Sequence, residues 1–388
     1  MPATGHLMKY GVTAALSTAL MAAAAWAGPA ASASTTAIRD RATLASVSCP
    51  GGFRGVVPPG QHSGTNWCMA VGTYIVKFKS HALAQVWNGS KWRLVPRVPG
   101  TELSSVSCLT GSFCVAAGGP TGAEQWNGHA WRTVNMGKPD GGLNGITCGS
   151  PKSCMLIFPR LNGPEVQSWN GGTKWQVQTK TTNVCFGPAG APCGLASVSC
   201  GNATNCVAVG TTQYQFSSDQ KPSSVVWNGK RWAFSQPPGV GDPAAMNAVS
   251  CAGRFCMAVG GGSADFLQGT IAIAATWNAA TRTWADVSPD LGHICNQKAA
   301  CAWASVIACG SPKLCVTLGP AGPQAWDGQG WQPAPTVHTG AGSSLGALSC
   351  GQNFCVAVGY QRIGKIRHSL TEIWKAGSWT LQKPVDPF

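Results

Sequence analysis

The sequence predicts an all-β protein, a seven-bladed β-propeller with four antiparallel strands in each blade and disulfides that staple the blades. Three observations carry this prediction. A segment ending in cysteine recurs seven times along the 388 residues, and each copy is followed by a second cysteine and by a pair of tryptophans. Four short β-rich segments in each copy, repeated at about 40–50 residues, are typical of a propeller. Charged residues make up only 10% of the chain, which fits sheets covered on both faces.

Each repeat contains the same four elements in the same order. The first ends in Val-Ser-Cys or a close variant, and the second starts at the next cysteine and runs Val-Ala-Val-Gly in its clearest copies. The third ends at one tryptophan and the fourth starts at another. Asn-Gly lies between them in four repeats and supplies the positive φ angles of a two-residue hairpin turn. The predicted blades span residues 44–97, 103–135, 143–178, 195–235, 246–288, 304–333 and 345–383.

The first 33 residues resemble a secretory signal peptide. A weakly basic start precedes the Ala- and Leu-rich stretch Gly11–Ala27, and the small-residue site Ala31-Ser32-Ala33 follows. The stretch is short and interrupted by hydroxyl residues, which argues against a membrane span. We therefore expect a secreted, extracellular protein whose mature chain, residues 34–388, is one propeller domain. Eighteen cysteines fit an oxidising compartment.

The cysteines are expected to form local disulfides. The first two strands of a blade are antiparallel neighbours, so residues on either side of their short turn come within disulfide reach. Zinc is the alternative, but each blade offers only two cysteines and a tetrahedral site needs four ligands. The expected pairs are Cys49–Cys68, Cys108–Cys114, Cys148–Cys154, Cys200–Cys206, Cys251–Cys256, Cys309–Cys315 and Cys350–Cys355, with Cys185–Cys193 and Cys295–Cys301 in longer linkers.

Two known repeats resemble parts of these units. A small-residue strand, an apolar strand ending in glycine and a Trp-Asn/Asp-x-x-Trp turn resemble the kelch repeat, most closely at Gly118-Gly119, Gly260-Gly261 and Trp326-Asp327-Gly328. The turn at Ser168–Trp175 also resembles the Asp-box of sialidases. Both resemblances imply a propeller and no particular activity, because the motifs form structural turns. The paired cysteines depart from both patterns and indicate an addition specific to exported propellers of actinobacterial type.

The connections between the second and third strands and those between successive repeats emerge on one face and carry nearly all of the length variation, so we expect function on that face. Among the connections between repeats, the long ones are residues 178–194 and 287–302. The connections between second and third strands are expected to be loops at residues 73–84, 211–223, 261–273 and 360–369. In a closed ring the first and last of these meet at one seam, where cations and aromatic rings suit an anionic polymer. The alternative is two solvated basic loops. The candidate binding residues are Lys77, Lys79, His81, Arg362, Lys365, Arg367, His368, Tyr74, Phe78 and Tyr360.

The sequence favours a protein that binds an extracellular glycan or cell-wall polymer. Its thirteen carboxylates form no recognisable acid–base pair. The alternative is a glycan-active enzyme, sialidase-like or another glycoside hydrolase or lyase, in which changing Glu165 or Asp219 would abolish depolymerisation. We expect no cofactor, no metal, no nucleic-acid partner and no membrane span, and we expect a monomer.

Two further sets of repeated residues are assigned structural roles. Glu124 and Glu372 stand two residues before the first tryptophan of their repeats, where three other repeats have glutamine. This equivalence predicts a repeated structural hydrogen bond rather than catalysis. The fourteen tryptophans at fixed positions are predicted to pack between blades rather than to bind ligand.

Overall fold

A computed structural model describes most of the chain: residues 41–50, 66–119, 122–136, 142–158, 165–178, 193–213, 220–238, 244–263, 270–289, 304–319, 322–334, 340–383 and 385–388. All of these belong to one compact unit, Ile38–Phe388. The segment Met1–Ala37, which holds the expected signal peptide, lies outside the described residues. The described residues form strands and turns, and no helix among them is long and apolar enough to cross a membrane.

The twenty-eight strands are arranged as seven units of four. Unit 1 comprises β1 (Arg41–Ser48), β2 (Cys68–Val76), β3 (Lys79–Trp87) and β4 (Trp92–Leu94), and unit 2 comprises β5 (Ser105–Thr110), β6 (Phe113–Gly118), β7 (Gly122–Trp126) and β8 (Trp131–Val134). Unit 3 comprises β9 (Gly145–Ser150), β10 (Ser153–Phe158), β11 (Glu165–Trp169) and β12 (Gln176–Val177), and unit 4 comprises β13 (Cys193–Asn202), β14 (Asn205–Gln213), β15 (Gln220–Trp227) and β16 (Trp232–Phe234). Unit 5 comprises β17 (Ala244–Ala252), β18 (Phe255–Ser263), β19 (Thr270–Asn278) and β20 (Thr283–Asp286). Unit 6 comprises β21 (Val306–Ser311), β22 (Leu314–Leu318), β23 (Gln324–Trp326) and β24 (Trp331–Pro333), and unit 7 comprises β25 (Ser344–Cys350), β26 (Phe354–Ile363), β27 (Ile366–Lys375) and β28 (Ser378–Leu381).

The strands of every unit pair antiparallel in sequence order, so the fold is a repeat of four-stranded antiparallel sheets like those of propellers. Units 2 to 6 are separate sheets. Units 1 and 7 are joined by one parallel pair, Arg41 with Arg367, into a single eight-stranded sheet. The first unit thus lies beside the last, although they are farthest apart in sequence.

The first strands of all seven units line one cavity of about 360 Å³. The residue before the first cysteine of a unit lies on this wall, and in six units it carries a hydroxyl. That hydroxyl accepts a hydrogen bond from the backbone N–H of the first cysteine in the next unit, at 2.8–2.9 Å. The accepting residues are Ser48, Ser107, Thr147, Ser199, Ser250 and Ser349, and unit 6 has Ala308 at this position. We call this arrangement the hydroxyl ring.

Seven disulfides join the first and second strands of the units, in the seven pairs that the repeat predicts. The paired cysteines have Cα atoms only 3.9–4.2 Å apart. In six units, units 2 to 7, the strand register makes them direct cross-strand partners across a tight turn. Within the described part of the chain no cysteine is free. The two linker pairs, Cys185–Cys193 and Cys295–Cys301, involve residues outside the described ones.

The paired tryptophans pack between neighbouring units. Trp126 and Trp131 of unit 2, for example, lie against Met69 and Val71 of unit 1. Their ring centroids are 5.5 Å apart, and each ring is less than a tenth exposed. Because the same arrangement recurs from unit to unit, the core is a series of interfaces rather than one central cluster.

Candidate functional site

The sequence-predicted binding residues lie on two hairpins, one from unit 1 and one from unit 7. We expected loops here, at residues 73–84 and 360–369, and that expectation is wrong. Strands β2 and β3 continue to Val76 and Lys79, and β26 and β27 continue to Ile363 and Ile366. Only two residues form each tip, Lys77-Phe78 and Gly364-Lys365. Thr, Tyr, Ile and Val follow one another in β2, and such β-branched and aromatic residues favour strand over loop.

The tip of the unit 1 hairpin has an unusual backbone. Lys77 and Phe78 have φ angles of 48° and 66°, the left-handed values that a two-residue hairpin turn with matching twist needs at both positions. Asn and Gly ordinarily fill these positions because other side chains are strained there. The turn therefore holds a cation and a ring at the tip, and Phe78 is 70% exposed.

In unit 7, three of the candidate residues face unit 1. Side chains alternate along a strand, so Tyr360 and Arg362 lie on the same side of β26 as Val356 and Val358. Those two valines are fully buried and pack against Ala42 and other residues of unit 1. Arg367 is the direct cross-strand partner of Arg362 and shares its side of the hairpin.

In unit 1, the matching residues face unit 7. Lys79 and His81 lie on the same side of β3 as Leu83, which packs against the valines of unit 7. Tyr74 is the cross-strand partner of His81 and packs against the same interface. We define the junction cleft as the space between the two hairpins, walled by Tyr74, Lys79 and His81 on one side and by Tyr360, Arg362 and Arg367 on the other.

Each wall of the junction cleft presents a stacked pair of flat groups. The rings of Tyr74 and His81 have centroids 4.9 Å apart and an interplanar angle of 22°. The guanidinium carbon of Arg367 lies 4.1 Å from the centroid of the Tyr360 ring, a cation–π contact. Stacking fixes these side chains, so less rotamer freedom remains to be lost when a ligand binds.

The positive charge of the cleft is extended by a residue that the sequence analysis missed. Arg41, at the start of β1, is the parallel strand partner of Arg367. Arg362, Arg367 and Arg41 therefore occupy three consecutive strands of one sheet. Among the described residues no carboxylate forms an ion pair with any of the three. The length of β1 was the missing signal, because the repeat unit was taken to begin at Leu44.

His368, expected in a loop among the binding residues, lies in a strand and is paired with a carboxylate. It alternates with Arg367 along β27 and so lies on the opposite side of the hairpin from the cleft. Its Nδ1 lies 2.7 Å from Oδ2 of Asp386, whose carboxylate is 3% exposed. The backbone N–H of Ser369 donates to the other oxygen, at 3.2 Å. An acidic group from outside the two hairpins is therefore present at the junction.

Asp386 belongs to a C-terminal segment that crosses the junction. Nε2 of Gln85 in unit 1 donates to Oγ of Ser369 at 3.2 Å and to the carbonyl of Val385 at 2.7 Å. Val385 also packs against the apolar residues shared by units 1 and 7. This segment holds no repeat motif, so the sequence offered no signal for its role.

The repeated hydrogen bond expected of the glutamate and glutamine positions is not found in that form. Gln85 bonds across the junction, whereas Gln167 donates to Glu165 in its own strand at 2.8 Å. Glu124 accepts a hydrogen bond from Thr133 through Oε1, and its buried Oε2 has no partner. Burial raises the pKa of Glu124 above its ordinary value of 4.5, and the Thr133 hydroxyl opposes that rise. The position is buried in each of these units, but the partners differ because neighbouring units differ.

The one described carboxylate of the alternative enzyme hypothesis is not part of the cleft. Glu165 lies at the start of β11 in unit 3 and accepts the hydrogen bond from Gln167. Asp219 lies outside the described residues. In the described ranges no three His, Cys, Asp or Glu side chains come close enough to hold a metal ion.

Solved structures similar to the chain identify the fold that it shares. A structure described as YCF48 bound to D1 peptide is 15% identical over 82% of this chain and 89% of that chain, with a TM-score of 0.51. U3-55K is 13% identical over 87% and 99%, with a TM-score of 0.53. The Myceliophteria thermophila Cps50 (Swd1) β-propeller domain is 9% identical over 80% and 94%, with a TM-score of 0.52.

At these identities the likeness concerns the fold alone. No protein-family model matches the chain, and no curated protein sequence matches it either. The neighbours and the repeated four-stranded sheets together identify the architecture as β-propeller-like.

Proposed function

We propose that the protein is an exported binding protein, a closed seven-bladed propeller that holds an anionic glycan or cell-wall polymer in the junction cleft. The observation that carries the proposal is the pairing of stacked flat groups with unpaired cations on two facing walls. Export is supported by the seven disulfides, which persist in oxidising compartments.

The chemistry of the walls suits a sugar chain that carries phosphate or carboxylate groups. Arg362 and Arg367 offer planar forks of N–H donors, which match the oxygens of either group bidentately. Tyr74 and His81 offer a flat surface on which a sugar ring can lie. Lys79 adds a point charge on the same wall, and the lysines at the two tips extend the positive region along a polymer.

A rigid support favours this use of the hairpins. Both arise from strands whose inner parts are buried, and the first strands of the same two units are linked by the bond from the Cys49 N–H to Ser349. Because the two walls are fixed relative to each other, a ligand that bridges them loses little additional entropy in ordering the protein.

Binding is favoured over turnover by the composition of the cleft. The six residues that form its walls include no carboxylate. General acid–base cleavage of a glycosidic bond needs a pair of carboxyl groups. Asp386, a described acid at this junction, is buried and paired with His368. Incubating the protein with a panel of wall and plant glycans and measuring released reducing ends tests this point directly. Turnover that depends on Glu165 or Asp219 would establish the enzyme alternative.

The proposal is tested by reversing charges on the two hairpins. A variant with Lys77→Glu, Lys79→Glu, Lys365→Glu and Arg367→Glu should lose about tenfold or more of its retention on purified cell wall. The retention of the parent protein should fall between low and moderate salt, because screening acts over roughly 10 Å at 0.1 M. A folded variant that binds as well as the parent would show that the hairpins are only a solvated rim.

Two controls separate the cleft from charge in general. Four reversals elsewhere, Lys152→Glu, Lys230→Glu, Arg254→Glu and Lys313→Glu, change the net charge by the same amount and should leave wall retention near that of the parent. Arg367→Lys keeps the charge but removes the fork and the planar stack over Tyr360. It should weaken binding measurably, whereas a purely electrostatic rim would not distinguish the two side chains.

A further inference from the structure

Charge is distributed unequally between the two ends of the units. We call the end with the connections between first and second strands and between third and fourth strands the turn edge. Counted along the sequence, these connections hold nine Lys or Arg residues and a single carboxylate, Asp327. Eight of the nine cations are described, and all eight are exposed. They belong to units 1, 3, 4, 5 and 6, and examples are Lys91, Lys152, Lys230, Arg254 and Lys313.

The opposite end of the units is nearly balanced. The connections between second and third strands, between successive units and after β28 hold eight Lys or Arg and seven Asp or Glu residues. The excess positive charge of the chain outside its strands is therefore concentrated at the turn edge. The overall excess of Lys and Arg does not explain this uneven distribution. The turn edge holds nine of the seventeen Lys or Arg residues in the connections but only one of the eight Asp or Glu residues.

Most connections between third and fourth strands are held by hydrogen bonds within the turn. In units 1, 2, 4, 5 and 6 an Asn or Asp side chain stands where the third strand passes into its connection to the fourth strand. Its oxygen accepts hydrogen bonds from two backbone N–H groups later in that connection. At Asp327 these bonds, from Gly330 and Gln329, lower the pKa of the carboxyl, so that its charge is engaged within its own turn.

The two turns of a unit are also tied to each other. The indole N–H of Trp126 donates to the carbonyl of Gly111 at 3.0 Å, and Trp227 and Trp326 make the equivalent bond to the first turns of units 4 and 6. Because each tryptophan is anchored between units, the turn edge is fixed to the core. The cations therefore stand on anchored turns at one end of the units.

We propose that the turn edge adsorbs to an anionic lipid bilayer surface. A planar array of phosphate headgroups can contact cations spread around a ring at the same time, whereas a single linear chain reaches only a subset of them. Each Lys or Arg held near such a surface adds to the attraction, so eight exposed cations suffice for multivalent binding. The described turns carry no exposed large apolar side chain, so adsorption is electrostatic, without insertion into the hydrocarbon.

This surface is distinct from the junction cleft, which lies at the opposite end of units 7 and 1. A protein that binds by both would hold a polymer at its hairpins while its turn edge rests on lipid. The two proposals stand on different residues and different ligands, so either can fail without the other.

The test is cosedimentation of the full protein with vesicles. The vesicles contain 30% phosphatidylglycerol in phosphatidylcholine, with pure phosphatidylcholine as the neutral reference, at low and at physiological ionic strength. The parent should bind only the anionic vesicles, and its binding should fall as salt is raised. The turn-edge variant Lys152→Glu/Lys230→Glu/Arg254→Glu/Lys313→Glu should lose about tenfold or more of its affinity. These four side chains are exposed, so thermal unfolding and tryptophan fluorescence should match the parent.

The hairpin variant Lys77→Glu/Lys79→Glu/Lys365→Glu/Arg367→Glu is the matched control, because it has the same net charge. It should bind anionic vesicles nearly as well as the parent. Equal losses of vesicle affinity in both variants would mean that only net charge matters, which would contradict the proposal. A parent protein that does not bind anionic vesicles would contradict it as well. A short soluble polyphosphate that bound the turn edge while vesicles did not would show that a linear anion, not a planar one, is recognised.

Discussion

Two junctions between neighbouring units are held by different means. The junction of units 7 and 1 joins residues 300 positions apart, and it contains the Ser349 hydroxyl, the bonds of Gln85 and the C-terminal segment with Asp386. The junction of units 6 and 7 joins consecutive units, and Ala308 stands where the hydroxyl would be. Among the described residues, no side chain of unit 6 accepts the N–H of Cys350.

The difference follows from chain connectivity. Consecutive units are held near each other by a short linker, so their junction forms with a small loss of chain entropy. The first and last units must be brought together across almost the whole domain, and loop closure costs more as the loop lengthens. No strand is exchanged between them, so the single parallel pair of Arg41 with Arg367 and the side-chain contacts hold the two units together. The junction of units 7 and 1, the closing junction, is accordingly supported by the bonds of Gln85 and by the C-terminal segment in addition to the Ser349 hydroxyl.

The largest effect is expected from removing a tryptophan at either junction. Trp92 packs at the closing junction with Val356 and Val358, and Trp379 packs at the junction of units 6 and 7 with Ala308 and Val316. Each change to alanine should lower the free energy of unfolding by about 3–5 kcal/mol, the range for large buried side chains. Urea unfolding followed by fluorescence measures both. Limited proteolysis should cleave near the two chain ends in Trp92→Ala and not in Trp379→Ala. Identical cleavage patterns in the two variants would mean that the two junctions do not differ in this way.

Removing the Asp386 carboxylate should have the next largest effect. Asp386→Ala leaves His368 and the Ser369 N–H without their partner, and it should cost about 2 kcal/mol, as for hydrogen bonds to a charged group. Asp286→Ala is the control, because that exposed carboxylate bonds only to Ser288 in its own segment. A cost at Asp386 no greater than at Asp286 would mean that the C-terminal segment does not hold the ring closed.

Glu124 offers a comparison at the junction of units 1 and 2, where it takes the position of Gln85. Its raised pKa means that the folded protein favours the protonated form. Stability from this site is complete below the ordinary pKa of 4.5 and decreases as the pH rises through the folded value. Glu124→Gln should therefore stabilise the protein at neutral pH by about 1 kcal/mol and flatten the pH dependence. Thermal unfolding from pH 4 to 8 checks this, and a steeper dependence in the variant would contradict it.

The smallest expected change is a gain in stability from a single added hydroxyl. Ala308→Ser should complete the hydroxyl ring by accepting the Cys350 N–H and should stabilise the protein by about 0.5–1 kcal/mol. Ser349→Ala, which removes the corresponding bond at the closing junction, should cost about 1 kcal/mol. Differential scanning calorimetry resolves both changes. If Ala308→Ser is neutral and Ser349→Ala is costly, only the closing junction depends on its hydroxyl.

The sequence predicted those features that recur in every repeat. The seven disulfides follow from cysteines at equivalent positions, and the strand ends follow from the paired tryptophans and Asn-Gly turns. Tyr74 and Tyr360 were assigned to loops because their segments differ in length between units, although both lie in strands. Length variation indicates where a repeat changes, but it does not distinguish a longer hairpin from a loop.

Sequence by itself determined the repeated unit, its four strands, its disulfides and its tryptophan interfaces. These depend on contacts within a unit or between units with equivalent residues, so a repeated residue implies a repeated contact. Only the tertiary structure decided which hairpins face each other, which side of β27 His368 occupies, and that Arg41 and Asp386 reach the junction of units 7 and 1. Those contacts join single residues far apart in the chain, and no local pattern encodes a partner that only ring closure brings near.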